Sequence, residues 1–196
     1  MNREPQNKIL TIPNMLSAFR ICMIPLLVWL YYVKQDYLWT GGLLILSGLT
    51  DVVDGFIARR FHMISNLGKV LDPIADKLTQ GAMLFCLVTR FPFMMAPLVL
   101  LILKEIFAGI TGFLVIRNTG QVFGANWHGK AATILLYAMM ILHVIWNDIP
   151  RILSDILIAI CIVMMLVSLV LYGIRNVLAL KNTNTTLPGK EKNHAK

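Results

Sequence analysis

Long apolar runs separated by short polar stretches dominate the chain. Each run approaches or exceeds the length a helix needs to cross a bilayer. The pattern predicts helices over residues 14–32, 38–58, 70–89, 93–116, 129–146 and 152–174. Pro13-Asn14 marks an entry turn before the first. Residues 1–12 are polar, and the short amphipathic fragment 8–12 suits a membrane surface. Gly120, Gly124, Asn126 and His128 make 117–128 a loop or short re-entrant segment. The polar tail from Lys181 reads as disordered. The expected fold class is an all-α polytopic membrane protein: six transmembrane helices with a short N-terminal interfacial segment. It divides into a segment 1–13, a six-helix domain 14–175 and a polar tail 176–196, with no internal repeat or appended soluble domain.

Composition strengthens this picture. The chain is 57% hydrophobic and 14% charged, too apolar for a soluble bundle that must cover its core with polar surface. A signal peptide does not account for the first run, which begins near Met15, lacks a cleavage pattern and is followed by five more. Cys22, Cys86 and Cys161 are single residues within apolar segments, neither a metal pattern nor a disulfide framework.

Charge adds an orientation. The net charge is +8, without the basic stripe and exposed aromatics of a nucleic-acid site. Of the Lys and Arg residues, only Lys34, Arg90 and Arg151 fall at the ends facing one side. The positive-inside tendency therefore puts both termini, and the ends carrying Arg59, Arg60, Lys69, Arg117, Lys130, Arg175 and Lys181, in the cytoplasm. Trp29, Tyr31, Tyr32, Tyr37, Trp39 and Trp146 gather towards the other end, as an interfacial belt does.

Four aspartates break the apolar pattern where helices 2 and 3 meet the cytoplasmic side. Carboxylates at membrane depth are costly and mark function by default. Asp51 and Asp54 are three apart, Asp72 and Asp76 four apart, so each pair shares a helix face. Two such helices facing each other across the 59–69 connection bring four carboxylates together. Divalent metals relieve their repulsion: Mg²⁺ takes hard oxygen ligands, often shared with a substrate phosphate, and two metals can clamp a diphosphate. Gly55, Ala58 and Gly68 leave room for a bulky group, Arg59 can reach a phosphate, and Pro73 suits a helix start. An ion-paired seam neutralised by Arg59 and Lys77, or a proton or ion pathway, are the blander readings.

The spacing Asp51-x2-Asp54-Gly55-x2-Ala58-Arg59-x8-Gly68-x3-Asp72-x3-Asp76 resembles the signature of the CDP-alcohol phosphatidyltransferase family at every fixed position. The family's six-helix organisation spans about residues 10–175. The opening 13–20, with Ser17 and Arg20, and the later Pro25 are similar to its phosphatidylglycerophosphate and cardiolipin synthase branches. The resemblance implies transfer of a phosphatidyl group from CDP-diacylglycerol to an alcohol, with release of CMP. It implies that Asp51, Asp54 and Asp72 ligate two divalent ions, Mg²⁺ or Mn²⁺. Asp76 completes the metal site and acts as general base, while Asp54, Gly55, Ala58, Arg59 and Gly68 bind the CDP group. Homodimers are frequent in the family.

The acceptor is carried elsewhere. Lys104, Arg117 and Lys130 are the candidate cations for a phosphorylated acceptor. Lys104-Glu105 and Gly129-Lys130 resemble an Arg-Glu and a Gly-Lys pair of phosphatidylglycerophosphate synthases. Those enzymes commonly carry a further Arg where this chain has Gly112, and Arg117 looks more like the cardiolipin synthase branch. The expected acceptor is glycerol 3-phosphate, with phosphatidylglycerol in a CMP-forming cardiolipin synthase as the alternative. An ion-coupled transporter using the four acids is the competing class.

Overall fold

The computed structural model describes residues 11–60, 68–119 and 127–185, with backbone alone at 12, 58, 59, 69, 116, 118, 119 and 179–185. The interfacial fragment 8–12 thus lies almost wholly outside the described residues, as do Gly120, Gly124, Asn126 and the tail beyond 185. Six long helices form an all-α bundle: α1 (Ile12–Trp29), α2 (Tyr37–Arg60), α3 (Gly68–Val88), α4 (Met95–Thr119), α5 (Trp127–Ile145) and α6 (Arg151–Thr185).

Local chemistry explains the helix ends. Thr11 caps α1, its hydroxyl oxygen accepting the Asn14 N–H at 3.5 Å, and Pro13 sits in the first turn, where no backbone donor is needed. The chain leaves α1 through a π-helical turn, Leu30–Lys34. Gln35 then adopts the left-handed conformation, φ 52°, and reverses the chain. Asp36 starts α2, its carboxylate accepting the Trp39 N–H at 3.1 Å. Pro73 lies inside α3, which begins at Gly68 rather than near residue 70. α6 continues past its expected end at 174 to Thr185.

α1 packs on both α2 and α3, whereas α2 and α3 barely touch. α5 packs on α2, α3 and α6, and α4 lies between α3 and α6. The expected face-to-face arrangement of α2 and α3 is therefore replaced by one in which α1 stands between them. The apolar core, including Leu44, Leu84, Leu87, Met140, Ile158 and Cys161, fills the middle of the bundle and the end away from the aspartates.

The outer faces are apolar too. Leu46, Ile102, Ile110, Phe113, Ile160 and Val163 are all exposed, a continuous apolar surface that suits lipid rather than water. Among the described residues, five helical segments are long and apolar enough to cross a membrane: Pro13–Lys34, Tyr37–Ile57, Pro92–Val115, Trp127–Ile145 and Arg151–Leu178. The protein is thus an integral membrane protein. Among the described residues α3 does not join this set, although its 21 residues extend about 31 Å. The reason is chemical: its first half carries Asp72, Asp76 and Lys77.

Candidate active site

The acid pairs come to one end of the bundle because α2 ends there and α3 begins there. Arg20 enters from α1 and is fully buried. Its Nη1 donates to Asp51 Oδ1 at 2.6 Å and its Nη2 to Asp54 Oδ2 at 2.5 Å. The three-residue spacing lets one guanidinium engage both carboxylates. One turn earlier on α1, the Ser17 hydroxyl lies between the Pro13 carbonyl oxygen, at 3.0 Å, and Asp72 Oδ1. Its single proton goes to one acceptor at a time, and the charged carboxylate is the stronger. α1 therefore clamps both acid pairs.

Asp76 is held differently. Gln80, one turn on, donates Nε2 to both carboxylate oxygens at 2.9 Å. Tyr137 of α5 donates its hydroxyl to Oδ1 at 3.0 Å, and Lys77 Nζ lies 3.3 Å from Oδ2. Lys77 also reaches Glu105 Oε1 at 3.5 Å, and Lys104 reaches the same oxygen at 3.5 Å. A continuous polar chain thus links Tyr137, Asp76, Lys77, Glu105 and Lys104 across α5, α3 and α4. The pairs also feel one another: Asp51 interacts electrostatically with Asp72 and Asp76, and Asp54 with Asp72.

The other expected site residues divide. Gly55 is half-buried and Gly68 buried beside the acids on α2 and α3; the side chains of Ala58 and Arg59 lie outside the described residues. Lys104 is brought to Asp76 through Lys77 and Glu105. Arg117 and Lys130 are exposed at the end of α4 and the start of α5, and among the described residues neither forms a salt bridge with the acids. The blander seam reading assigned neutralisation to Arg59 and Lys77; Lys77 does pair with Asp76, but the cation on Asp51 and Asp54 is Arg20.

Four residues carry the geometry without having been singled out as site residues: Ser17, Arg20, Gln80 and Tyr137. Arg20 had a signal, since an arginine inside an apolar span needs an anion. Gln80 had a weaker one, four residues after Asp76 on the same helix. Ser17 and Tyr137 come into range only through packing.

The donor chemistry fits divalent cations: four carboxylates supply hard oxygen ligands at one end of the bundle. Among the described residues, no three acid, His or Cys side chains converge into a ready ligand cage. The oxygens that would serve are engaged by Arg20, Ser17, Gln80 and Tyr137.

This end of the bundle gathers carboxylates and the cations paired with them inside a bundle whose outer walls are apolar. A sequence profile described as CDP-alcohol phosphatidyltransferase matches residues 10–179. A CDP-diacylglycerol–glycerol-3-phosphate 3-phosphatidyltransferase of Bacillus subtilis is 35% identical over 150 residues, covering 67% of this chain and 77% of that protein. A CMP-forming cardiolipin synthase of Streptomyces coelicolor is 35% identical over 146 residues, 71% of this chain and 68% of its own. A Rickettsia bellii protein named like the first is 33% identical over 108 residues, 54% of this chain and 60% of its own. The chain belongs to the CDP-alcohol phosphatidyltransferase family and is an enzyme of that reaction type.

Proposed function

We propose that the enzyme transfers the phosphatidyl group of CDP-diacylglycerol to glycerol 3-phosphate, forming phosphatidylglycerophosphate and releasing CMP. The observation that carries the acceptor is the cluster around Asp76. Lys77 and Lys104 share the single carboxylate of Glu105, which links Lys104 to Asp76 by way of Lys77. As they stand, Asp76, Lys77, Glu105 and Lys104 balance; with Asp76 given over to the divalent ions of this reading, Lys77 and Lys104 are left with Glu105 alone, which favours a negatively charged acceptor beside them. A phosphomonoester satisfies that balance better than a neutral alcohol. Phosphatidylglycerol, also anionic, is the second reading: a CMP-forming cardiolipin synthase is among the relatives, and Gly112 offers no cation.

In this reading Asp76 accepts the proton of the attacking hydroxyl. Tyr137 and Gln80 hold its carboxylate in place, with Oδ2 on the side of Lys77. Proton transfer needs that short-range geometry. Asp51, Asp54, Asp72 and Asp76 would hold two divalent ions, Mg²⁺ or Mn²⁺, and Gly55, Ala58, Arg59 and Gly68 would line the nucleotide pocket. When bound, such ions neutralise the diphosphate and the charge developing on the departing CMP oxygen. We place α3 as a sixth span, with its charged first half at the cytoplasmic interface. The catalytic unit is then 14–175, flanked by 1–13 and 176–196 on the cytoplasmic side, where a soluble nucleotide head can enter while acyl chains stay in lipid. A homodimer is part of this reading.

The test is product identity. Purified enzyme receives labelled CDP-diacylglycerol and Mg²⁺ or Mn²⁺, with glycerol 3-phosphate or phosphatidylglycerol in separate reactions. Metal-dependent CMP release with phosphatidylglycerophosphate as product is the expected result. Cardiolipin formed from phosphatidylglycerol, with no turnover of glycerol 3-phosphate, would replace the first acceptor by the second.

A further inference from the structure

Arg20 carries more than a structural load. A guanidinium stays charged in a protein and cannot escape burial by losing its proton. In the middle of an apolar span it must have anions, and it has Asp51 and Asp54 at 2.6 and 2.5 Å. Those carboxylates are the ones the proposed chemistry assigns to divalent ions. Two cations competing for the same oxygens repel each other, so Arg20 in this position opposes metal binding.

A second observation concerns the same side chain. Arg20 is fully buried, yet among the described residues its Nε has no hydrogen-bond partner. A buried donor left unmade is costly, and the guanidinium has donor capacity for one more acceptor. Its present pairing is therefore incomplete.

Charge bookkeeping points the same way. The four aspartates bring four negative charges, and Arg20 and Lys77 return two, while Lys104 and Glu105 cancel. Two divalent ions would leave the site with two positive charges in excess, and the diphosphate of a nucleotide-lipid brings two negative charges. The site is neutral when ions and diphosphate are present together, provided Arg20 remains in it. Arg20 then has to change partner rather than leave.

We infer that Arg20 is an exchangeable counter-cation. It bridges Asp51 and Asp54, would give up their oxygens to divalent ions, and would take the diphosphate of the nucleotide-lipid as its anion. This rests on the phosphatidyltransferase reading of the aspartate site. It makes metal and nucleotide binding mutually dependent, since the displaced guanidinium needs the anion that the substrate supplies.

The experiment measures Mn²⁺ binding by electron paramagnetic resonance on the full chain in lipid nanodiscs, with and without CDP-diacylglycerol. Arg20→Met should bind Mn²⁺ alone about tenfold more tightly than the unsubstituted protein, because the competing cation is gone. The gain in Mn²⁺ affinity on adding CDP-diacylglycerol should shrink by about tenfold. Arg20→Lys should fall between, since an ammonium cannot bridge both carboxylates with a planar fork. Mn²⁺ affinity that is unchanged or weaker in Arg20→Met, or a nucleotide effect of undiminished size, would overturn the inference. Folding is informative as well. A variant that is unstable in EDTA but recovered by Mn²⁺ supports exchange. If neither Arg20→Met nor Arg20→Lys folds even with Mn²⁺, Arg20 is a permanent strut and the inference falls. An unsubstituted protein that binds no Mn²⁺ would instead remove the metal-site assignment beneath it.

Discussion

Two polar clusters sit at opposite ends of the same bundle and solve burial in opposite ways. At the far end, His143 is buried with both ring nitrogens engaged. Nδ1 lies 2.8 Å from the Met139 carbonyl oxygen and so carries the proton, and Nε2 accepts from the Ser154 hydroxyl at 2.9 Å. Phe91 meets the ring edge-on at 5.0 Å, Tyr31 packs edge-on against Tyr37, and Arg90 lies 5.3 Å over the Tyr37 ring. The His143 group is neutral and locally complete. At the aspartate end, full charges face each other across four helices, Arg20 keeps a donor without a partner among the described residues, and acids outnumber their cations. The contrast separates a polar cluster that locks two helices together from one whose own residues leave its charges out of balance.

Substitutions at the two ends should therefore differ in kind. The largest effect belongs to Asp76→Asn, which should lower CMP release by about 10²- to 10⁴-fold, the usual worth of a positioned base, while leaving nucleotide binding measurable. Wild-type turnover in that variant would remove the base assignment. Tyr137→Phe deletes the 3.0 Å hydrogen bond to Asp76 and should lower kcat by about tenfold with little change in KM. Lys104→Met should raise the KM for glycerol 3-phosphate several-fold and leave the KM for CDP-diacylglycerol in place, as steady-state kinetics in both substrates would show. Ser154→Ala, at the far end, should cost about 1–3 kcal/mol of stability by leaving His143 Nε2 unsatisfied, with kcat unchanged. An equal loss of activity there would collapse the distinction between the ends. Gly41→Ala is a packing change alone. Its added Cβ would come within 2.6 Å of Ile145 Cγ1 and 3.0 Å of its Cδ1, so thermal unfolding should register the usual overpacking cost of about 1–3 kcal/mol, with kcat unchanged.

The helices were legible because their signal is local. Apolar length and punctuation by Pro13 and the 117–128 glycines mark them without knowledge of the packing. The aspartate pairs were legible for the same reason, since three- and four-residue spacings are properties of one helix. What escaped was relational. Nothing in the order of residues says that α1 separates α2 from α3, or that Tyr137, 61 positions from Asp76, meets it. Arg20 was visible as an intramembrane charge, but its two partners lie on another helix. Pro73 falls inside α3 because Gly68 starts that helix five residues before it and two before the expected start, a boundary that propensity alone does not resolve.

The position of α1 has a consequence for how the protein is made. The next two helices carry four carboxylates and, in Arg59, Arg60, Lys69 and Lys77, basic residues of their own, yet the cation on Asp51 and Asp54 comes from α1, and α2 and α3 have scarcely any contact of their own. Without α1, Asp51 and Asp54 would meet lipid without that partner. α1 precedes them in the chain and brings Arg20 and Ser17, so the hairpin that follows finds a cation and a hydroxyl already in place. The same helix that pairs with Asp51, Asp54 and Asp72 in the folded bundle would then also receive them during insertion. A chain deprived of α1 should fail at biogenesis, before any question of catalysis arises.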